Sequence, residues 1–366
     1  MKSFVSLLLG AGMFTLVNTA IAQPITVVSF NAENLFDTKD DSTNPQDDTY
    51  LPLSVKQSLP GHNERCNALN SEGFYRDQCK TLDWSDAVFS TKLQRLADVI
   101  LAMPALPDVI VMPETENREV LQELVSRHLA DKHYEVIQLD TSDEPISRGI
   151  DVGILTRLKI IGTPTAHKVD FGSDAELCGA TRDIVKAELE LPDGTGLTIL
   201  GVHFPSGSNP VKCRVRAFKT LSKLSADIPA EQLVLAAGDF NFNCTETTTP
   251  AFQRLLLRGN WYVSPVVRAD CTAPGSSKFI DHLYDNWNTW SFLDLILVRQ
   301  ELSASRPSEK NWFADLGSFG TLAVHPEQIT VDKDNEGFVE PRRFDPKTLR
   351  GVSDHWPVGL RLLRRR

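Results

Sequence analysis

The sequence has no excess of basic residues, no C-x-x-C pair, no internal repeat and, beyond residue 22, no apolar run long enough to cross a bilayer. Each absence excludes something. Lys and Arg number 38 against 48 Asp and Glu, a formal net charge of −10, so no overall basic field draws the chain to nucleic acid. That argues against a tight, extended grip on DNA, but not against an enzyme whose bound metal supplies positive charge locally. Without a close cysteine pair, a thiolate metal site is a weak reading. Without a second apolar run, nothing after residue 22 reads as a membrane span.

What is present begins with a segment of export type. Lys2 precedes the apolar run Phe4 to Val17, and Ala20-Ile21-Ala22 offers a small-x-small cleavage site. Residues 1–22 therefore read as a secretory signal removed before Gln23. The short run disfavours a permanent anchor, and no cysteine follows closely enough for a lipoprotein. The expected location is secreted or periplasmic. All six cysteines lie in the mature part, and an even number in an exported chain points to disulfides. Fifteen pairings are open; the sequential one, Cys66–Cys79, Cys178–Cys213 and Cys244–Cys271, is taken as the expectation.

With 366 residues the chain can bury one large core or two ordinary ones. Ile25 to Phe30 alternates and is β-rich, so it reads as a strand entering Asn31. Apolar residues at helical spacing (Leu93, Leu96, Ala97, Ile100) predict a helix over 91–101, and Val120, Leu121, Leu124 and Val125 predict another. Further strands are predicted at 108–112, 134–139, 152–155, 184–191, 197–202, 233–237, 293–298 and 358–362, with a helix over 215–224. Many strands among few helices predict two packed sheets flanked by helices, an α/β (α+β) fold rather than one doubly wound sheet. No boundary divides the mature chain. The expectation is one domain over 23–366, with polar insertions near 38–90 (38–80 at their most polar) and 300–350.

Polar residues recur where buried strands end: Asn31 with Glu33, Glu114 with Glu116, His203, Asp239 with Asn241, Asp294, and Asp354-His355. One such residue is usually a cap or a turn. A whole set reads as a shared site on a rigid scaffold. The clearest member is Gly238-Asp239-Phe240-Asn241 after Leu233 to Ala237. There Asp239 and Asn241, two apart on an extended end, point the same way.

Ser29-Phe30-Asn31-Ala32-Glu33-Asn34-Leu35, Met112-Pro113-Glu114-Thr115-Glu116-Asn117-Arg118, Gly238-Asp239-Phe240-Asn241 and Ser353-Asp354-His355-Trp356-Pro357-Val358 resemble the motifs of the endonuclease/exonuclease/phosphatase (deoxyribonuclease-I-like) superfamily, in that family's order. The resemblance implies a four-layer sandwich of two packed mixed β-sheets and metal-dependent hydrolysis of phosphoesters. It implies Glu114 as principal Mg²⁺ ligand with Asn31 beside it, and Asp354 as a further ligand. Mg²⁺ is hard and takes one or two carboxylates while keeping waters, which suits these residues. Mn²⁺ would serve as a substitute and Ca²⁺ as an accessory ion. Asp239 would prepare the attacking water, Asn241 would hold a phosphate oxygen, and His355 with Asp294 would form an imidazole–carboxylate pair. His203 resembles the family's second histidine; Arg182 resembles its phosphate-contacting arginine, with a surface ion pair as the other reading. Arg148, with Asp151, is a weaker candidate of the same kind. Glu33 and Glu116 are not expected to touch the metal.

The motifs fix chemistry without fixing substrate. A nuclease acting on DNA, and also on RNA, is the leading reading, supported by the context of His203 and by Arg118, Arg148 and Arg182; a monomer without stable membrane association is expected. The alternatives are a phospholipid phosphodiesterase of the sphingomyelinase type, or an esterase of a small phosphate ester. The lipid reading needs an exposed aromatic hairpin, for which Trp287, Trp290 and Asn311-Trp312-Phe313 are candidates. A catalytically dead binding relative would not need Asp239. The acidic stretch Asp332 to Gly337 fails as an EF-hand, since its twelfth position is Arg343. Arg364-Arg365-Arg366 reads as a frayed tail.

Overall fold

The structure is a computed structural model of the chain. It describes residues 23–41, 47–69, 73–139, 141, 148–269, 271–272, 274–281, 286–303, 312–332 and 338–365. The expected signal, residues 1–22, lies outside them, as do Asn311, residues 333–337 of the acidic stretch, and Arg366.

The described strands are, first, β1 (Ile25–Ser29), β2 (Val109–Thr115), β3 (Glu135–Ile137), β4 (Asp151–Thr156), β5 (Lys159–Ile160), β6 (Thr165–His167), β7 (Ile184–Glu190) and β8 (Gly196–His203). They continue as β9 (Leu233–Asp239), β10 (Trp261–Tyr262), β11 (Ser277–Asp281), β12 (Asn286–Ser291), β13 (Asp294–Arg299), β14 (Trp312–Thr321), β15 (Ile329–Asp332), β16 (Phe338–Pro341) and β17 (Val358–Arg364). One mixed sheet runs β14-β17-β1-β2-β4-β3 and the other β10-β13-β9-β8-β7-β5, with β6 also on β7. β11-β12 and β15-β16 are separate hairpins.

Both faces of the first sheet are buried, which is why its strands read as nearly unbroken apolar runs. Val27, Val109 and Val111 face the second sheet, on the side that carries Ile199, Leu235 and Val298. Their neighbours Val28, Ile110 and Met112 turn outward to Leu93, Leu96, Leu121 and Leu124 on the helices Asp86–Ala102 and Arg118–His128. The second sheet is covered by helices Val211–Ala226 and Pro250–Arg258 through Phe218, Leu221, Phe252 and Leu256. Each such side chain contributes roughly 1.5–3 kcal/mol by leaving water. The result is the expected four-layer arrangement of two mixed sheets between helices.

Three expectations need correction. The tail is not frayed at Arg364 and Arg365: Arg364 ends β17 opposite Trp312 and reaches Asp193 at 3.2 Å, and Arg365 lies over the Phe313 ring. The polar stretch after residue 38 is not a bare excursion: it carries helices Leu53–Ser58, His62–Leu69 and Gly73–Thr81, and the next helix begins at Asp86 rather than 91. Its composition hid them, because short helices closed by a disulfide need little apolar face. The stretch 300–350 is not wholly irregular either, since β14 is the edge strand of the first sheet. A register shift between Asp315 and Gly320 breaks its alternation, so no strand period shows in the sequence. The cysteines pair sequentially, Cys66–Cys79, Cys178–Cys213 and Cys244–Cys271.

Candidate active site

Strand direction gathers the candidate residues at one edge of the sandwich. β1 is parallel to β2 and β8 to β9, so Asn31, Glu114, His203 and Asp239 all lie at or just beyond carboxyl ends of strands. β17 and β13 run antiparallel to these pairs and start where the others finish, which brings in His355 and Asp294. His203 is the register partner of Asp239, and Asp239 is the partner of Asp294, so three residues far apart in sequence form one row across three strands.

The backbone around this row is held in an uncommon shape. Gly238 has φ +140°, and a Cβ there would sit 2.0 Å from the Val202 carbonyl oxygen. Only glycine lets β9 approach β8 this closely. Glu33, Asn34, Glu114, Arg148 and Asn241 all have positive φ without being glycine. Such residues cost on the order of 1–3 kcal/mol each and cluster where function demands a particular side-chain direction. Gly238→Ala is therefore expected to destabilise the protein by about 4 kcal/mol or more, read as a large fall in Tm; a Tm within a degree of the parent would refute the close-approach argument.

Asn31 Nδ2 donates to Asp239 Oδ2 at 3.2 Å, and the Asn241 amide N–H donates to Asp239 Oδ1 at 2.8 Å. Asn241 Nδ2 donates to the Phe204 carbonyl at 3.0 Å. His203 Nε2 stands 3.8 Å from both Glu114 Oε1 and Asp239 Oδ2. His355 Nδ1 lies 2.6 Å from Asp294 Oδ2, and its Nε2 is 3.9 Å from Asp354 Oδ1. The Ser29 hydroxyl donates to the other oxygen of Asp294.

Burial and neighbouring charges together set opposite charge states for these residues. It pushes the Asp239 carboxyl up to about 7, against the pull of His355. It also opposes charge on Glu114, but Arg148 foremost among nearby cations holds that carboxyl well below the usual range. Burial, reinforced by Arg182, holds His203 well below the ordinary imidazole value. Burial alone would lower His355 too, yet the charge and hydrogen bond of Asp294, then Asp354 and Asp239, hold it well above. Around neutral pH the site thus contains a charged carboxylate, a neutral imidazole and a cationic imidazole.

Both candidate arginines reach the site. Arg148, half-exposed, donates from Nη2 to Glu114 Oε1 at 3.1 Å and from Nη1 to Asn34 at 3.0 Å. Arg182 is buried rather than on the surface, and its Nε has no partner among the described residues. Asp354 pairs with Arg343, which also donates to Glu33 Oε1 at 2.8 Å. Glu33 further accepts from the Phe344 and Asp354 amides, so it ties loops together. Glu116 turns from the centre to accept from the Asp37 amide at 2.7 Å. Arg343 and Tyr50 escaped sequence reasoning, because nothing in their polar surroundings marks them. The oxygen donors of Glu114, Asn31 and Asp354 suit a hard divalent ion.

Beside this centre a cleft of ≈ 290 Å³ is lined by Tyr50, Phe74, Tyr75 and Trp84 together with Asn34, Arg148 and Arg343. Phe74 and Tyr75 are 71% and 54% exposed. By contrast, Trp290 is buried against Trp356, and Trp312 is buried with its indole N–H on Asp193. Neither forms an exposed aromatic hairpin.

Among solved structures, an endonuclease/exonuclease/phosphatase family protein from Bacteroides thetaiotaomicron aligns over 94% of this chain and 100% of its own, at 16% identity and TM-score 0.54. TDP2 of D. rerio, complexed with single strand DNA product, aligns over 93% and 98%, at 13% identity and TM-score 0.52. A mannosyl-6-phosphatase of Bacteroides thetaiotaomicron aligns over 93% and 99%, at 15% identity and TM-score 0.53. At these identities the likeness shows the fold alone. Comparison with curated proteins by sequence returned no match. The family profile of the endonuclease/exonuclease/phosphatase family matches residues 67–364, and with the strand-end residues gathered at one edge, the chain belongs to that family of phosphoric ester hydrolases.

Proposed function

We propose that the chain is an exported, Mg²⁺-dependent phosphodiesterase that cleaves nucleic acid, DNA foremost, by in-line attack of water on phosphorus. The observation that carries this reading is the position of His203 Nε2, equidistant at 3.8 Å from Glu114 and Asp239. A metal-type carboxylate and a base-type carboxylate thus face one point. Glu114 and Asn31, with Asp354, would hold the ion, which when bound neutralises charge on the phosphate and the leaving oxygen. Asp239, whose carboxyl burial pushes to about 7, takes the proton of the attacking water. His355, kept cationic by Asp294, and the neutral N–H of His203 stabilise the phosphorus oxygens as charge grows there. Asn241, Arg182 and Arg148 position the phosphate.

The cleft supports a nucleic acid over a lipid or a small ester. Stacking of a base on an aromatic side chain contributes about 1–3 kcal/mol, and Arg148 and Arg343 in its lining suit a phosphate backbone. The relative TDP2 was solved with single strand DNA product, which fits an unpaired strand here. The test is cleavage of plasmid and of a single-stranded oligonucleotide with Mg²⁺, with and without chelator. Chelator-sensitive cutting is expected. Phosphocholine release from sphingomyelin vesicles without any cutting would overturn the nuclease reading. The double variant Phe74→Ala/Tyr75→Ala is expected to raise KM for the oligonucleotide about tenfold, within the range of one lost stack, with kcat little changed. An unchanged KM would remove the cleft from the binding path.

A further inference from the structure

A second group of carboxylates lies outside the catalytic row, in the stretch that leads to Tyr50. One oxygen from each of Asp40, Asp47 and Asp48 falls within 4.8 Å of the others. Asp47 and Asp48 are each 1% exposed. Asp47 Oδ2 accepts from the Asp41 amide at 2.8 Å, while its Oδ1 is buried and has no partner. Asp48 is gripped from behind by Arg65, at 2.8 Å from Nε and 3.2 Å from Nη2, with His62 Nδ1 at 3.4 Å. Asp37 and Glu116 are buried nearby and joined to each other. Besides Arg65, the only cation bonded to these carboxylates among the described residues is Lys39, 3.9 Å from Asp37 and largely exposed.

We infer that Asp40, Asp47 and Asp48 form a second site for a hard divalent cation of calcium type, separate from the catalytic centre. A buried carboxylate oxygen without a donor costs free energy unless a cation or a proton meets it. Two oxygens on one Ca²⁺ at 2.3–2.6 Å can be no more than about 5 Å apart, which these three satisfy. Ca²⁺ accepts several carboxylates in a flexible shell, whereas Mg²⁺ takes one or two and keeps its waters, so a group of three carboxylates suits calcium better. Main-chain carbonyls and water supply the remaining ligands, as is usual for this ion. The competing outcome is a cluster that stays neutral by holding protons.

The site has a use in the fold. Asp47 and Asp48 open the single turn Asp47–Tyr50, and Tyr50 stacks on Phe36 with ring centroids 4.2 Å apart to wall the cleft. A cation there would fix that wall.

The test uses full-length mature protein stripped with chelator and then given CaCl₂ at 1 mM. If that is a hundredfold above Kd, Tm rises by roughly 5 °C. Terbium, a calcium-sized probe, should show luminescence sensitised by Tyr50 and Trp84 and quenched by added Ca²⁺. Asp47→Asn should abolish both signals. Because a buried substitution can harm folding, the exposed Asp40→Asn is made in parallel and should weaken terbium binding at least tenfold. Glu114→Gln, in the catalytic row, should leave both signals intact. The inference fails if Ca²⁺ leaves the parental Tm unchanged, if both aspartate variants keep the shift, or if Glu114→Gln removes it.

Discussion

An Asp294→Asn protein is expected to fold, to bind substrate with near-parental KM, and to lose about 10²- to 10⁴-fold in kcat, the usual worth of positioned proton chemistry. Asp294 is fully buried and holds His355 Nδ1 at 2.6 Å, while Ser29 donates to its other oxygen. Asparagine fills the same volume, so no cavity opens. It carries no charge, however: with its oxygen on Nδ1 and its nitrogen on the Ser29 hydroxyl, which can turn to accept, the hydrogen bond survives. The imidazole nevertheless loses the main interaction that keeps it cationic.

The pH signature separates this from simple misfolding. In the parent, activity should fall on the alkaline side as His355 gives up its proton, at a pH well above 6.5 because its pKa is raised. In Asp294→Asn that limb should move down toward the ordinary imidazole range. Stability follows the same sign. A raised folded pKa gives stability that is fully present below the unfolded value near 6.5 and is lost as pH rises through the folded value. The parent should therefore lose this increment at alkaline pH, and the variant should not. A variant with parental kcat and an unmoved limb would mean that Asp294 is only a packing residue.

Why could so much of this site be read in advance, and Arg343 or Tyr50 not? Buried strands announce themselves: Leu233 to Ala237 is apolar because both of its faces are covered, and a polar residue at its end has few structural reasons to be there. Asp239, Glu114 and Asn31 stood out in that way, and strand direction then brought them together without further instruction. Arg343 carries no such contrast. It sits in a charged stretch, and its pairs with Glu33 and Asp354 exist only because β16 and β17 place that stretch over β1. Tyr50 likewise gains its place from helices that Cys66–Cys79 closes, where no apolar period is needed. β14 was hidden for a related reason, since its bulge at 315–320 substitutes Gly and Ser for alternating residues.

Asp239→Asn is expected to leave no measurable turnover above background and yet to melt higher than the parent at pH 8. The two effects share one cause. An Asp whose folded value rises from 3.8 to about 7 binds its proton more tightly in the folded state, so its ionised form opposes folding. By the sign of linkage, its contribution to stability is greatest below pH 3.8 and is lost as pH rises through 7. That rise corresponds to a few kcal/mol. Asparagine avoids the loss but sacrifices one hydrogen bond: with its oxygen on the Asn241 amide, its nitrogen opposes Asn31 Nδ2. A lost bond costs on the order of 1 kcal/mol, less than the charge term at pH 8 and more than it at pH 4. In the metal-free protein the Tm difference between variant and parent should therefore change sign, negative at pH 4 and positive at pH 8. The parental rate should climb with pH up to 7 or below, because His355 and a bound cation both favour the ionised carboxylate. A variant that melts lower than the parent at every pH would show that Asp239 is an ordinary structural carboxylate, and would leave the water without its base.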